Sequence, residues 1–204
     1  MIKDSKIATS ARILAAAREE FATHGLAGAR VDRIAARAAV NKAMLYYHFN
    51  SKEKLYDAVI DEHLSRIGEF LEAQVTADAD VEMVLENFAG FINDLFTERR
   101  TLIPIFLREI ASGGERIAAA FTAALTARGL TRRLRKLLED GRKRGLLRDL
   151  DSRQAIVSFM GMNLIYHLLS PVINAVWEIK DEKKFRQRRR KEVVDLFLHG
   201  LKVR

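Results

Sequence analysis

The stretch VDRIAARAAVNKAMLYYHFNSK, Val31 to Lys52, limits what the chain can fold into more than any other, because it reads as two short helices joined by a tight turn. Ile34 and Ala35 open an apolar face and Ala38 continues it four residues after Ile34, whereas Val40 falls outside the helical rhythm. The first helix is therefore expected to stop near Ala38, with a turn over Ala39 to Asn41. Asn41 is a good N-cap, since its side-chain oxygen can accept from an otherwise orphan backbone N–H, and Leu45 and Phe49 recur at i+4 on an inward face. That predicts a second helix over Lys42 to Phe49, about two turns and too short to persist without a neighbour. Its outer face carries Lys42, Ala43, Tyr46, Tyr47 and His48, donors and amphipathic rings suited to a polyanion. On those residues alone, an ordinary half-buried helix surface fits equally well.

Two prolines and eleven glycines among 204 residues leave long windows of Ala, Leu, Arg, Glu and Lys, which favour helix nearly throughout. The expected fold class is all-α, with room for one large core or two small domains. A formal charge of +8 calls for a partner of negative potential, either nucleic acid or an anionic membrane surface. The absence of cysteine excludes disulfides, thiol nucleophiles and Cys-based metal sites, and fits a reducing compartment. Met1 to Ser10 is polar and lacks the apolar core of a secretion signal, so a cytoplasmic location is expected.

Ahead of the helix pair, Thr9 or Ser10 can cap a helix running to about His24, with Ile13, Leu14, Ala17 and Phe21 on one stripe and Arg12, Glu19 and Glu20 opposite. Gly25 supplies a left-handed stop. Behind the pair, Asn50 and Glu53 resemble a capping box for a helix that carries Leu55, Val59, His63, Ile67 and Leu71 and ends near Gln74. Lys52 sits in its first turn, where a cation opposes the helix dipole unless an anion such as a phosphate docks there.

LAAAREEFATHG followed by VDRIAARAAVNKAMLYYHFNSKEKL resembles the N-terminal domain of the TetR-type (AcrR-like) one-component transcriptional regulators, over roughly Thr9 to Val59. The Tyr46, His48, Phe49 and Lys52 spacing, the Ile34-Ala35 pair and the Phe21-to-Gly25 ending carry the likeness. The resemblance implies a helix-turn-helix in a three-helix head, used as a homodimer on a palindromic operator in double-stranded DNA. It places Lys42, Ala43 and Tyr47 against base edges, with Tyr46, His48 and Lys52 on phosphates and Asn41 beside them. The chain departs from the family pattern twice. Ala39 stands where glycine is usual, so the turn must either adopt a positive φ at a non-glycine residue or change geometry. Arg30 stands where a capping threonine is usual, a loss of about 1 kcal/mol, although Arg30 can still reach a phosphate.

Thr76 to Ala79 reads as a short linker, and Asp80 caps a helix with Val84, Phe88, Phe91, Ile92 and Leu95 on a wide apolar face. Thr101 is expected to cap a short helix that tolerates Pro104 in its first turn and turns Ile105, Phe106 and Ile110 inward. A long helical stretch from Glu115 to about Arg144 follows, kinked at Gly129, with Ile117, Phe121, Leu125, Leu134, Leu137 and Leu138 on its apolar positions. Arg132, Arg133, Arg135 and Lys136 read as a solvated face, with contact to DNA or an acidic partner as the alternative.

Ala155 to Trp177 is apolar enough to raise the question of a membrane span, but Asn163, His167, Ser170 and Asn174 form one polar stripe that lipid would penalise. The last helix, about Lys184 to Lys202, gathers Val193, Val194, Leu196, Phe197 and Leu201. Two such consecutive helices, about 152–176 and 184–202, predict a four-helix homodimer interface and no membrane.

No phosphate loop, paired metal-binding helix motif or nucleophile with a local base is present, so no enzyme activity, cofactor or metal site is expected. The Asp61, Glu62 and His63 run reads as a solvated helix face. Phe88, Phe91, Phe106, Phe121 and Met160 can wall an apolar pocket in which Asn163, Tyr166 and His167 orient a small ligand. The other reading of the polar stripe is hydrogen bonding across the dimer interface or to neighbouring helices. The expected division is a DNA-binding head over residues 1–50 and a ligand-binding and dimerisation domain over 51–204, with 52–74 as the connecting helix. The expected function is a repressor released from its operator by a small apolar or amphipathic ligand. A non-specific architectural DNA-binding protein is the alternative, followed by a helical-bundle enzyme or a membrane-surface role for the basic run Arg186 to Lys191.

Overall fold

The computed structural model describes residues 2–76 and 78–202, so Met1 of the polar Met1 to Ser10 segment and Ala77 of the expected linker lie outside the described residues. Among these residues the chain is helical throughout and has no strand. The elements are α1 (Ile2–Gly28), α2 (Val31–Arg37), α3 (Lys42–Phe49), α4 (Lys52–Gln74), α5 (Val81–Glu98), α6 (Leu102–Ala111), α7 (Glu115–Thr126), α8 (Leu130–Lys143), α9 (Ser152–Val176) and α10 (Glu182–Leu201). They form two compact units, Met1–Arg66 with Arg100–Ala124 and Ile67–Arg99 with Leu125–Arg204. This division runs through α4 and places α6 and α7 with the head, whereas the sequence suggested a cut after residue 50.

In the first unit, Ile13, Ala17, Phe21, Ile34, Leu45, Leu55 and Val59 are fully buried, and the Phe21 ring meets Tyr56 edge-on with centroids 4.8 Å apart. α1 begins at Ile2, ahead of the expected start at Thr9 or Ser10, since no glycine or proline interrupts that segment. Its helical geometry breaks at Gly25 (φ 65°, ψ 179°), where the stop was expected. Glu20, expected on the polar face, is buried. The carbonyls left open above the break are taken by α6: the Arg108 guanidinium donates to Ala22 O, to Phe21 O at 3.4 Å and to Thr23 O at 3.0 Å.

Other local expectations change as well. α4 is capped by Ser51, whose Oγ accepts from the Lys54 N–H at 3.1 Å, while Asn50 closes α3 at φ 63°. Thr101 is itself in helical conformation and its side chain makes no cap bond. Ile110 is exposed, and Glu109 takes the inward position after Leu102 and Ile105. A carboxylate can sit there because Tyr56 donates to it; burial first, and then Glu109, push the Tyr56 hydroxyl above its ordinary pKa. His63 lies on the inward stripe of α4 and is fully buried, so the Asp61 to His63 run is only in part a solvated face.

In the second unit, Val84, Phe88, Ile92 and Leu95 of α5 pack with Phe159 and Tyr166 of α9 and Val193, Val194, Phe197 and Leu201 of α10. Phe159 lies between Phe88 and Phe197, with centroids 6.1 and 4.8 Å away. The expected kink at Gly129 is a full break: α7 ends at Thr126 and Gly129 adopts φ 62°. Arg133, read as part of a solvated face, turns back and donates to Val75 O and, at 3.2 Å, to Glu72 O, closing the C-terminal end of α4. α10 starts at Glu182, capped by Asp181, which accepts from the Lys184 N–H at 2.9 Å. Of the apolar residues gathered on this helix, Leu196 is exposed, while Val193, Val194, Phe197 and Leu201 are buried.

Candidate nucleic-acid interface

The α2–turn–α3 unit follows the spans expected from sequence. Asn41 Oδ1 accepts from the Met44 N–H at 2.7 Å, Leu45 is fully buried, and Phe49 is half-buried. α2 ends with the Val40 N–H bonded to Ala35 O at 3.0 Å and the Ala39 N–H bonded to Ala36 O at 3.1 Å. This is a Schellman ending, with Ala39 at φ 53° in the position that favours glycine. The turn keeps its geometry and carries the strain of a Cβ in the left-handed region. Replacing Ala39 with Gly is expected to raise unfolding stability by about 1 kcal/mol, read from urea titrations. A variant equal to or less stable than the wild type would contradict the strain.

Arg30 precedes α2 without a side-chain cap bond. In its place the buried Glu20 carboxylate reaches across from α1 and accepts from the Arg30 N–H at 3.0 Å and from Arg33 Nε at 2.8 Å. Burial alone would raise the Glu20 pKa, but the Arg30 and Arg33 bonds and the Arg33 charge outweigh it and hold the carboxyl below its ordinary value. Glu20, a partner that helical periodicity hides, thus satisfies the N–H of the cap residue itself and the Arg33 side chain, and not the backbone N–H groups of the first turn that a threonine at position 30 would cap.

Lys42, Ala43, Tyr46 and Tyr47 are all exposed on one face of α3, with Tyr47 67% exposed. Lys42 Nζ pairs with Asp32 of α2 at 2.7 Å, and the bond from Asp32 raises its pKa. Lys6 of α1 donates to the Tyr47 hydroxyl at 3.3 Å and lies 4.8 Å from the ring centroid. His48 is half-buried and meets the Tyr47 ring edge-on at 5.4 Å. Lys52 points back into the protein, donating to Ala27 O at 3.4 Å and Ala29 O at 3.3 Å. Its ammonium holds the carbonyls between α1 and α2, which gives the cation at this helix start a partner other than phosphate.

The residues expected around a ligand fall into different surroundings. Phe106 and Phe121 belong to the first unit and the other six to the second. Phe91 stacks on Phe70 of α4 at 4.3 Å, and Phe88 lies 6.2 Å from the same ring, so these aromatics fill one another's space. Asn163, Tyr166 and His167 do line a common cavity, together with Arg186, Arg189 and Arg190. Met160, half-buried on α9, does not line it. Along the polar stripe, Asn163 donates to Phe159 O at 2.8 Å, Asn174 accepts from the Tyr166 hydroxyl at 2.9 Å and donates to Glu182 at 2.8 Å, and the His167 ring stacks on Phe96 at 5.2 Å. Burial, then the charges of Arg186 and Arg189, lower the His167 pKa to about 4, so the ring is neutral at pH 7.

A capped two-turn helix presenting a lysine and two tyrosines, seated on a partner helix through a strained turn, defines a helix-turn-helix DNA-reading head. Residues 13–59 match the family model described as bacterial regulatory proteins, tetR family, and residues 82–196 match a tetracyclin repressor-like C-terminal domain. The chain belongs to this family. It is 32% identical over 142 residues to the HTH-type transcriptional repressor NicS of Pseudomonas putida, covering 69% of this chain and 66% of that one. The Streptomyces coelicolor protein SCO4942 superposes with a TM-score of 0.70 at 30% identity, over 95% of this chain and 98% of that one. FadR of Bacillus subtilis, solved in complex with stearoyl-CoA, shares the fold at 21% identity and a TM-score of 0.71, over 93% of this chain and 97% of that one.

Proposed function

We propose that the chain is a dimeric, cytoplasmic, sequence-specific DNA-binding repressor that leaves a palindromic operator when a small ligand binds its C-terminal helices. The observation that carries this reading is the face of α3, with Lys42, Ala43 and Tyr47 positioned for base edges by the Asn41 cap and the Leu45 anchor. Arg30, Asn41, Tyr46 and His48 flank them for phosphate contact. Two such helices in successive major grooves stand roughly 34 to 36 Å apart. The second copy of the chain is assigned to α9, which leaves Val157, Ile165, Leu169, Val172 and Val176 exposed on the side away from its buried Phe159 and Tyr166. Leu196 of α10 is the corresponding exposed apolar residue on the last helix.

The name of NicS supports repression, and the stearoyl-CoA bound by FadR supports a small-molecule effector. Release follows when the ligand prefers the conformation that does not fit the operator, since only a difference in affinity shifts a population. The Arg108 clamp on α1 ties α6 to the reading head.

Operator titration at several salt concentrations tests the reading. Lys42→Ala and Tyr46→Phe are expected to weaken operator binding, Tyr46→Phe with an unchanged salt slope because it removes no charge, whereas Arg30→Ala, which removes a cation from a phosphate, flattens the slope by about one unit. Wild-type protein is expected to prefer one palindrome over bulk DNA by ~10³ or more. Equal affinity for both would establish the architectural alternative instead.

A further inference from the structure

The cavity bounded by α5, α9 and α10 has a composition that packing does not require. Three guanidiniums, from Arg186, Arg189 and Arg190, converge on it beside Asn93, Asn163, Tyr166 and His167, and among the described residues none of those lining it is acidic. Glu182 neutralises Arg186 at 3.1 Å from outside the cavity. Arg189 and Arg190 donate instead to backbone carbonyls, Met162 O at 2.8 Å and Glu86 O at 3.3 Å. A carbonyl accepts a hydrogen bond but supplies no counter-charge, so the half-buried Arg189 sits in the second unit without one, which favours an anion beside it, while Arg190 lies exposed at the cavity's edge.

Two further details point at the same space. Arg189 Nε is enclosed and makes no hydrogen bond, leaving one donor of the guanidinium fork open. The backbone of α5 also makes way for this chemistry. At Gly90 any Cβ would stand 2.5 Å from Arg190 Cζ, so the glycine leaves the room in which that guanidinium lies against the helix. The enclosed volume is about 20 Å³, which admits about one water-sized group. It can take the terminal oxygens of a ligand but not a whole molecule. Asn93 and Arg190 also wall an open groove between α5 and α10, floored by Val194 and Leu198 and edged by Glu86, Asp94 and Asp195, where the uncharged remainder of a ligand can lie.

We propose that this cavity is an oxyanion site in which Arg189 and Arg190 grip the carboxylate or phosphate end of a small ligand, with Arg186 beside them. Arginine suits this task because its planar fork matches either group with paired bonds. The neutral imidazole of His167 and the hydroxyl of Tyr166 add polar contacts without a competing charge. The proposal rests on the effector reading in one respect, that the same helices carry the ligand site, and it names that ligand as anionic.

The test uses operator-free, full-length protein. Thermal unfolding is followed while sodium acetate or inorganic phosphate replaces sodium chloride at constant ionic strength. The expected result is a saturable rise in midpoint with one of the two anions, and a dissociation constant raised at least ten-fold in Arg189→Met. Phosphate also stabilises proteins by exclusion from their surface, so the difference between wild type and variant is the measure. Ala89→Leu fills the cavity from α5 without removing charge, and is expected to abolish the saturable response even if Arg189→Met folds poorly. A preference for acetate identifies a carboxylate ligand, and a preference for phosphate identifies a phosphorylated one. Identical responses in wild type and both variants, or no anion-specific response in the wild type, overturn the site. Operator binding is then measured with the same anions. Saturable binding without operator release leaves the oxyanion site standing and removes the effector reading.

Discussion

Leu169→Asp is expected to convert the protein from dimer to monomer and to lower operator affinity by roughly 10² to 10⁴, the range that joining two binding heads contributes. Leu169 is 43% exposed in the single chain, on the same side of α9 as Ile165 and Val172. A carboxylate there disturbs no internal packing, so the helical circular dichroism of the variant is expected to match that of the wild type. Apolar patches of this kind are seldom left to water. α9 is long and apolar enough to cross a membrane, with a mean hydropathy of 1.6 over its most apolar window, yet its opposite side buries Asn163 and His167 against protein. Sedimentation equilibrium decides the matter. A variant that remains a dimer with undiminished operator binding would move the interface away from α9.

Glu20→Gln is expected to cost about 2 kcal/mol at neutral pH, because a charged acceptor that serves two donors is lost from a buried position. The effect carries a pH signature. The Glu20 carboxyl is held below its ordinary value of about 4.5 by the Arg30 and Arg33 bonds, which together exceed the opposing effect of burial. The unfolded chain therefore takes up this proton at higher pH than the folded chain does. Its contribution to stability is complete above the ordinary carboxylate range and disappears as pH falls through the lowered folded value. Urea unfolding of wild type and variant should show a gap at pH 7 that closes on acidification below pH ~4. A gap independent of pH would mean that the side chain acts through its shape and not its charge.

The α2 and α3 spans were readable because each rests on short-range chemistry: an amide cap at Asn41, apolar recurrence at Ile34, Ala38 and Leu45, and a helix too short to shift its register. The all-α class and the start of α5 at its Asp80 cap were readable for the same reason. What escaped was long-range. Glu20 looks like a surface residue in the heptad pattern of α1 and is buried because Arg30 and Arg33, ten and thirteen residues later, bond to it. Arg133 reads as part of a solvated basic run and Arg108 belongs to no motif, yet each closes the end of a helix far from it in sequence. Ile110 faces outward because Glu109, its neighbour in sequence, takes the inward position on α6. The arginines around Asn163, Tyr166 and His167 come from a run, Arg186 to Lys191, that reads as a solvated or membrane-facing charge block and divides its side chains between interior and exterior.

The ion pair between Asp32 and Lys42 has a bearing on how the head searches DNA. A phosphate or a guanine edge that takes up the Lys42 ammonium must draw it away from a carboxylate already in contact, so every duplex meets the same internal rival. Because Asp32 cannot distinguish one base pair from another, the rivalry lowers affinity for all sequences by a common factor and leaves their ranking intact. Its effect is on residence: every site, right or wrong, is left sooner by the same factor, so the head exchanges faster among sites while their relative occupancies stay as the other contacts set them.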